Sequence, residues 1–193
     1  MNEVKNLKYD FLTTTTGFAN FITTNYTSIN SNDFKETITA EEEFDSDGKY
    51  SIIEIANWFL LKSSMTHKKL QKLCYYAQAW YYALKGLRLI DSDFQAWVHG
   101  PVSPVLYEKF KCFGFDTIKI SGLYETKINK EDQDFLEDVW ETYGSYTGNA
   151  LEALSHKETP WIQARAGYRP DEKCIIAISP EDMKKYYISI YKK

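Results

Sequence analysis

Three histidines, His67, His99 and His156, and three cysteines, Cys74, Cys112 and Cys174, are the residues of this 193-residue sequence most able to do chemistry near neutral pH. Their spacing limits what that chemistry is. A structural zinc site takes about four ligands, usually in close pairs, and the sequence has no CxxC or HxxxH. His67 and Cys74 stand seven apart on one predicted helix, which makes half a site at most. No metal and no cofactor is expected. No glycine-rich loop follows a strand, and no GxSxG elbow exposes a serine. His99 follows Trp97-Val98 and precedes Gly100-Pro101. It is read either as a general base in a pocket with Tyr75 and Gln78, or as a turn residue bonded to a backbone carbonyl. His156 follows a predicted helix end, where the dipole favours a cation, and Trp161 lies close by. The acidic residues are assigned to solvated helix faces. With no catalytic constellation, the chain is not expected to be an enzyme.

A second set of residues suits binding rather than catalysis. Gln71, Tyr75, Gln78 and Tyr82 recur at helical spacing, with Lys68, Lys72 and Lys85 close by. Tyrosine and glutamine combine apolar area with hydrogen bonding, as partner surfaces require. Tyr75, Gln78, Tyr82, Lys68, Lys72 and His99 are therefore the expected partner-binding residues. The competing reading is that the tyrosines only cover neighbouring elements.

The element that must position these residues is a helix over residues 66–85. Leu70, Leu73, Cys74, Ala77, Trp80, Tyr81 and Leu84 form its apolar stripe. Thr66 is its expected N-cap, Met65 and Leu70 form a hydrophobic staple, and Gly86 ends it. The preceding helix, residues 51–62, carries a capping box in Ser51 and Glu54. Residues 94–99 and 116–120 read as short extended segments. Ser103-Pro104 starts a helix to about Phe113, with Val105, Leu106, Phe110 and Phe113 on one face. Asn129 caps an acidic helix over 130–143, and Thr147 caps the next, 148–155. Thr159 and Pro160 are read as cap and first residue of a short helix ending near Gly167. Residues 174–178, CIIAI, read as a strand, and residues 181–193 as the last helix. The fold class is mainly α (α+β), a compact helical domain around the 66–85 helix with a few short strands.

The charge is unevenly placed. Residues 1–50 hold four lysines and nine acidic residues, a net −5, against +1 for residues 51–193. The folded part therefore lacks the basic patch that phosphate backbones select, so nucleic acid is not an expected partner. No run approaches the roughly 18 apolar residues of a membrane span. With no signal-peptide layout and an odd number of cysteines in apolar settings, the chain reads as cytoplasmic with buried thiols. Residues 1–50 form a polar, acidic N-terminal arm, mobile or partner-specific. Its aromatic stretch 9–26 is the part expected to dock, and 33–43 is a candidate short helix. Residues 51–193 form the folded domain.

Three segments taken in order, KLQKLCYYAQAWYYALKG, DFQAWVHGPVSPVLYEKF and LEALSHKETPW, resemble the Panacea domain, the SocA- and GepA-like domain of phage-associated proteins and antitoxins. The resemblance runs from about residue 51 to 190. Its motif residues here include Leu70, Leu73, Trp97, Gly100, Pro101, His156 and Trp161, which it implies are structural. Cys74 departs from it, standing where leucine is usual. The resemblance implies a non-enzymatic antitoxin that neutralises a cognate protein toxin by direct binding. A proteolytic adaptor that hands a target to a cellular protease is the alternative, and an enzyme with a His99 pocket is the third. The toxin and the oligomeric state are not fixed by the sequence.

Overall fold

The computed structural model describes residues 48–119 and 125–191. The expected arm lies outside the described residues as far as position 47, including its aromatic stretch and its candidate helix.

Helix α1 (Ile52–Lys62) starts where the Ser51 side chain accepts from the Glu54 N–H. Strand β1 (Met65–Thr66) leads into α2 (His67–Lys85), where the Thr66 hydroxyl accepts from the Lys69 N–H. Gly86, at φ 69°, closes α2 in the left-handed region. Strands β2 (Gln95–Trp97) and β3 (Gly100–Val102) make a short hairpin. Then come α3 (Pro104–Phe110) with a 3-10 turn over Lys111–Phe113, strand β4 (Thr117–Ile118), and α4 (Lys130–Tyr143). Helices α5 (Gly148–Ser155), α6 (Thr159–Ala164) and α7 (Pro180–Tyr191) complete the described chain. It is a mainly helical α+β domain with short antiparallel strands.

All the other helices gather around α2. Fifteen of its 19 residues are buried, so it is a core helix covered on nearly every side. The sequence reading of an amphipathic helix with a solvent-facing second stripe is corrected by this. Its apolar stripe meets α1, α4 and α7, with Trp80 against Tyr187 at 4.9 Å and Tyr81 against Phe135 at 5.2 Å. Its second stripe meets the segment 89–103. That segment is irregular, so its backbone groups need side-chain partners. Gln71 is bidentate on Ser103, accepting from its N–H at 2.9 Å and donating to its carbonyl at 3.1 Å. Gln78 accepts from the Ile90 N–H at 2.7 Å. Tyr75 lies between them, edge-on to Phe94 at 5.6 Å.

Other expectations shift in smaller ways. β1 pairs with β4, Met65 opposite Ile118, so the staple position Met65 is also a strand residue. Residues 174–178 add only one bridge, Gln95 with Ala177, along the β2 edge instead of a full strand. Two backbone bonds hold them there, Ala96 N–H to the Ile176 carbonyl and Ile178 N–H to the Phe94 carbonyl. Glu158, not Thr159, is the N-cap of α6. Val105 and Phe113, expected on the inward face of α3, are exposed: the helix buries Leu106 and Phe110 instead, and it gives way to the 3-10 turn before Phe113. Cys112, expected buried, is exposed in that turn, while Cys74 and Cys174 are buried. Among the described residues no helix is long and apolar enough to cross a membrane, and no group of three or more His, Cys, Asp or Glu side chains could hold a metal ion.

Candidate functional site

The first turns of α2, the β2–β3 hairpin, α3 and the start of α5 enclose a cleft of about 550 Å³. Each wall is fixed by a local device. Ser103, with its hydroxyl accepting from the Leu106 N–H and Pro104 at the first helical position, starts α3 directly after the hairpin. Tyr107 thereby comes to face Trp97, ring centres 5.0 Å apart. The indole of Trp97 is held in plane by its N–H bond to Gln95 Oε1 at 2.8 Å. Thr147 caps α5, and Gly148 lets its first turn approach α2: a Cβ there would stand 3.0 Å from the Lys69 backbone nitrogen.

The floor is set by Lys72 and Gly100. Lys72 is fully buried, and its Nζ donates to the Pro101 carbonyl at 2.8 Å. Burial pulls its amine down to about 7, because nothing in the interior solvates the charged form as water does. Gly100 has φ +90° and lies over this lysine; a Cβ would come within 2.7 Å of Cε. Glycine is required twice, for the backbone angle and for the space. Next to Lys72 is His67, whose Nε2 is 3.1 Å from the Gln71 amide nitrogen. That amide group can only donate, so the imidazole is neutral with its proton on Nδ1. Burial, then the charge of Lys72, holds its pKa below the ordinary value, in agreement with this tautomer.

The rim is a clamp around Glu152. Its carboxylate accepts from Lys68 Nζ at 2.5 Å and from His99 Nδ1 at 2.9 Å. Lys68 also donates to Asn149 Oδ1. Burial is the largest single effect and raises the Glu152 pKa, but the hydrogen bonds and charges of Lys68 and His99 together outweigh it and hold the pKa below its ordinary value. Beyond the rim, Val105, Tyr107, Phe113 and Phe115 are exposed, and Phe115 is 99% exposed. Large apolar side chains gathered at the lip of a cleft are the informative kind of exposure.

The expected partner-binding residues divide here. Lys68 and His99 lie at the cleft and face solvent in part, and Lys72 lines its floor without being a surface group. Tyr75, Gln78 and Tyr82 are buried and do not line the cleft, so they present no surface to a partner. The pocket that His99 borders holds Gln71 and Lys72 where the sequence reading placed Tyr75 and Gln78. Of the motif residues, Leu70 and Leu73 are fully buried in the core. Pro101 offers its carbonyl to Lys72. His156 stacks on Trp161 at 4.1 Å, and the Trp161 indole N–H donates to the Trp97 carbonyl at 3.1 Å, tying α6 to the hairpin. Sequence reasoning missed Tyr107 and Phe115. The only available signal was the excess of aromatic residues between Ser103 and Asp116.

It also missed a buried carboxylate. Glu158 accepts from the hydroxyls of Tyr76 at 3.2 Å and Tyr187 at 2.8 Å. Tyr76 stacks on Tyr143 at 4.1 Å, and the Trp80 indole donates to the Tyr143 hydroxyl. Desolvation pushes the Glu158 carboxyl up to about 7, more than the two tyrosine bonds lower it. This cluster joins α2, α4, α6 and α7 and opens on no cleft.

Comparison with known proteins adds the last observation. A family model described as "Antitoxin SocA-like, Panacea domain" matches residues 70–162. A protein named Antitoxin SocA, from Caulobacter vibrioides (strain NA1000 / CB15N), is 33% identical over 124 residues, which cover 55% of this chain and 66% of that protein. No solved structure matches. The stretch matched by the family model contains Gln71, Lys72, the hairpin, Glu152 and Glu158. It excludes Lys68 and all of α7.

Proposed function

Because this chain belongs, through residues 70–162, to the SocA-like Panacea domain family, we propose that it is a non-enzymatic antitoxin that binds and neutralises a cognate protein toxin. The toxin-binding face is the lip of the cleft, with Tyr107, Phe113 and Phe115 as apolar anchors and Lys68 and His99 as the polar edge. Lys72 supports that face from below by bonding the hairpin at Pro101, Tyr75 and Gln78 hold the residues that lead into it, Phe94 and Ile90, and Tyr82 is a buried core residue. The single observation that carries the assignment is the cluster of exposed aromatic side chains beside an otherwise polar rim. Such anchors, ringed by polar groups, are where binding energy concentrates. A stable complex buries about 800 Å² on each partner, so the toxin extends well past the cleft itself.

The test is co-expression with the product of the neighbouring open reading frame, followed by recovery of the complex. Growth arrest relieved by this chain, with a stable complex, supports the reading. Phe115→Ser with Tyr107→Ser is expected to lose both rescue and complex while the fold is kept. Rescue that survives both changes would remove this face from the proposal.

The adaptor reading is favoured by one further observation. Residues 175–177 offer a second exposed apolar surface, with Ile175 and Ile176 both exposed on the edge beside β2. An unpaired edge of this type accepts an added strand. If the chain delivers a target to a protease, Ile176→Lys is expected to stop turnover of the target and leave its binding intact.

A further inference from the structure

We propose that the cleft itself is a binding site for a small planar molecule carrying one anionic group, a carboxylate or a phosphate. The volume of about 550 Å³ is that of a small-molecule site and more than one side chain fills. The lysines and histidines that line it, Lys68, Lys72, His67 and His99, are all basic side chains, and no carboxylate lines it among the described residues. The nearest acidic side chain, Glu152, has its two oxygens engaged by Lys68 and His99. Trp97 and Tyr107, tilted 58° to each other at 5.0 Å, offer ring faces, and Phe115 stands at the mouth. A flat ring fits these walls by offset or edge contacts.

The floor supplies the polar end. A lysine ammonium has three donors. Among the described residues, Lys72 Nζ has one hydrogen-bond acceptor, the Pro101 carbonyl. Lys72 lines the floor of the cleft yet is only 1% exposed, so its remaining donors lie just below the accessible surface. A ligand oxygen at the floor that draws the amine towards it would gain a charge-assisted bond. Burial depresses the pKa of this amine, and the nearby Glu152 carboxylate offsets that only in part. The ring therefore lies against the open faces of the Trp97–Tyr107 pair, which touch each other, and the anion points towards Lys72, with Lys68 closing above it.

This proposal does not rest on the antitoxin reading, since it is tested on the purified full chain with no partner protein. Isothermal titration is carried out with phenyl phosphate, indole-3-acetate and adenosine monophosphate, with benzyl alcohol and benzylamine as neutral and cationic controls. At least one anionic probe is expected to bind, about tenfold or more tighter than either control. Lys68→Met and Trp97→Leu are each expected to weaken it by about tenfold, with circular dichroism unchanged. Lys72→Met is expected to abolish it; should that variant fail to fold, the Lys68 and Trp97 variants still decide. Any of the following overturns the proposal: no anionic probe gives heat up to millimolar concentration; benzylamine binds as well as the anions; or affinity is unchanged in both surface variants. Protection of Lys72 from amine-reactive reagents by a partner protein alone, with no probe bound, also overturns it and assigns the cleft to a partner's side chain.

Discussion

Glu152 and Glu158 stand six residues apart, on either side of the end of α5, and live in opposite environments. Glu152 sits at the rim of the cleft, is held ionised by Lys68 and His99, and its pKa is lowered. Glu158 is sealed in the core, is bonded only to two neutral tyrosine hydroxyls, and its pKa is pushed up to about 7. The same side chain is a surface clamp in one place and a core hub in the other. What separates them is the partner available: a cation near water stabilises the charge, whereas hydroxyls in an apolar shell do so incompletely. The fold is thus held by one polar region and exposes another, and the two should respond differently to the same perturbation.

The largest effect should come from Glu158→Ala. It empties a core position and leaves the Tyr76 and Tyr187 hydroxyls unpaired, a loss of about 3 kcal/mol or more by denaturant unfolding. Glu158→Gln keeps one acceptor oxygen, puts an NH2 donor in place of the other, as the protonated acid puts an O–H there, and exposes the pH term. A carboxyl whose folded pKa lies above its ordinary 4.5 favours folding while protonated. Wild-type stability is therefore highest near and below pH 4.5 as far as this group is concerned, falls as the pH rises to about 7, and then levels. The span of that fall is at most about 3 kcal/mol. The Gln variant should lack this slope; an unchanged slope would mean that Glu158 is not its source.

Next comes Gly100→Ala. With φ at +90° and Lys72 Cε at 2.7 Å from the added carbon, it should cost about 2 kcal/mol and displace the hairpin, which thermal unfolding and probe binding would both register. Gln71→Ala removes both bonds to Ser103 and should cost about 2 kcal/mol by the same measurement, since a buried N–H and a carbonyl lose their partner. Glu152→Gln is expected to be the mildest, below about 1 kcal/mol, because its partners are already near water. It should leave the pH slope of Glu158 in place. Equal losses for the Glu152 and Glu158 variants would erase the contrast between the two regions.

Much of the fold could be read from local signals. Ser51, Thr66, Ser103, Asn129 and Thr147 each cap the helix expected of them, and Gly86 ends α2. These devices act within one turn of chain, so the sequence carries them whole. The partners of Gln71 and Gln78 do not lie within a turn. A glutamine on a helix reads alike whether its amide meets water, a partner protein or the backbone of residue 103. The same ambiguity hid Glu158, which resembles any other acid before a proline-containing helix, and hid β1, whose pairing with β4 spans some fifty residues. His99 and Lys68 were found because a turn before Gly100-Pro101 and the first turn of a helix both lie at the surface. Phe115 was missed because a phenylalanine is expected inside.

The position of α7 in the core bears on when this domain can exist during its own synthesis. Tyr187 packs on Tyr76 and Trp80, over a hundred residues earlier in the chain, and completes the bonding of Glu158. Until α7 has left the ribosome, α2 has an uncovered flank and Glu158 lacks its shorter hydrogen bond. The nascent chain thus carries a finished hairpin and unfinished core, a state exposed to proteases and to aggregation. Closure of this core waits on α7, so a pause or cleavage ahead of Pro180 is expected to leave α2 uncovered and not merely to shorten the domain.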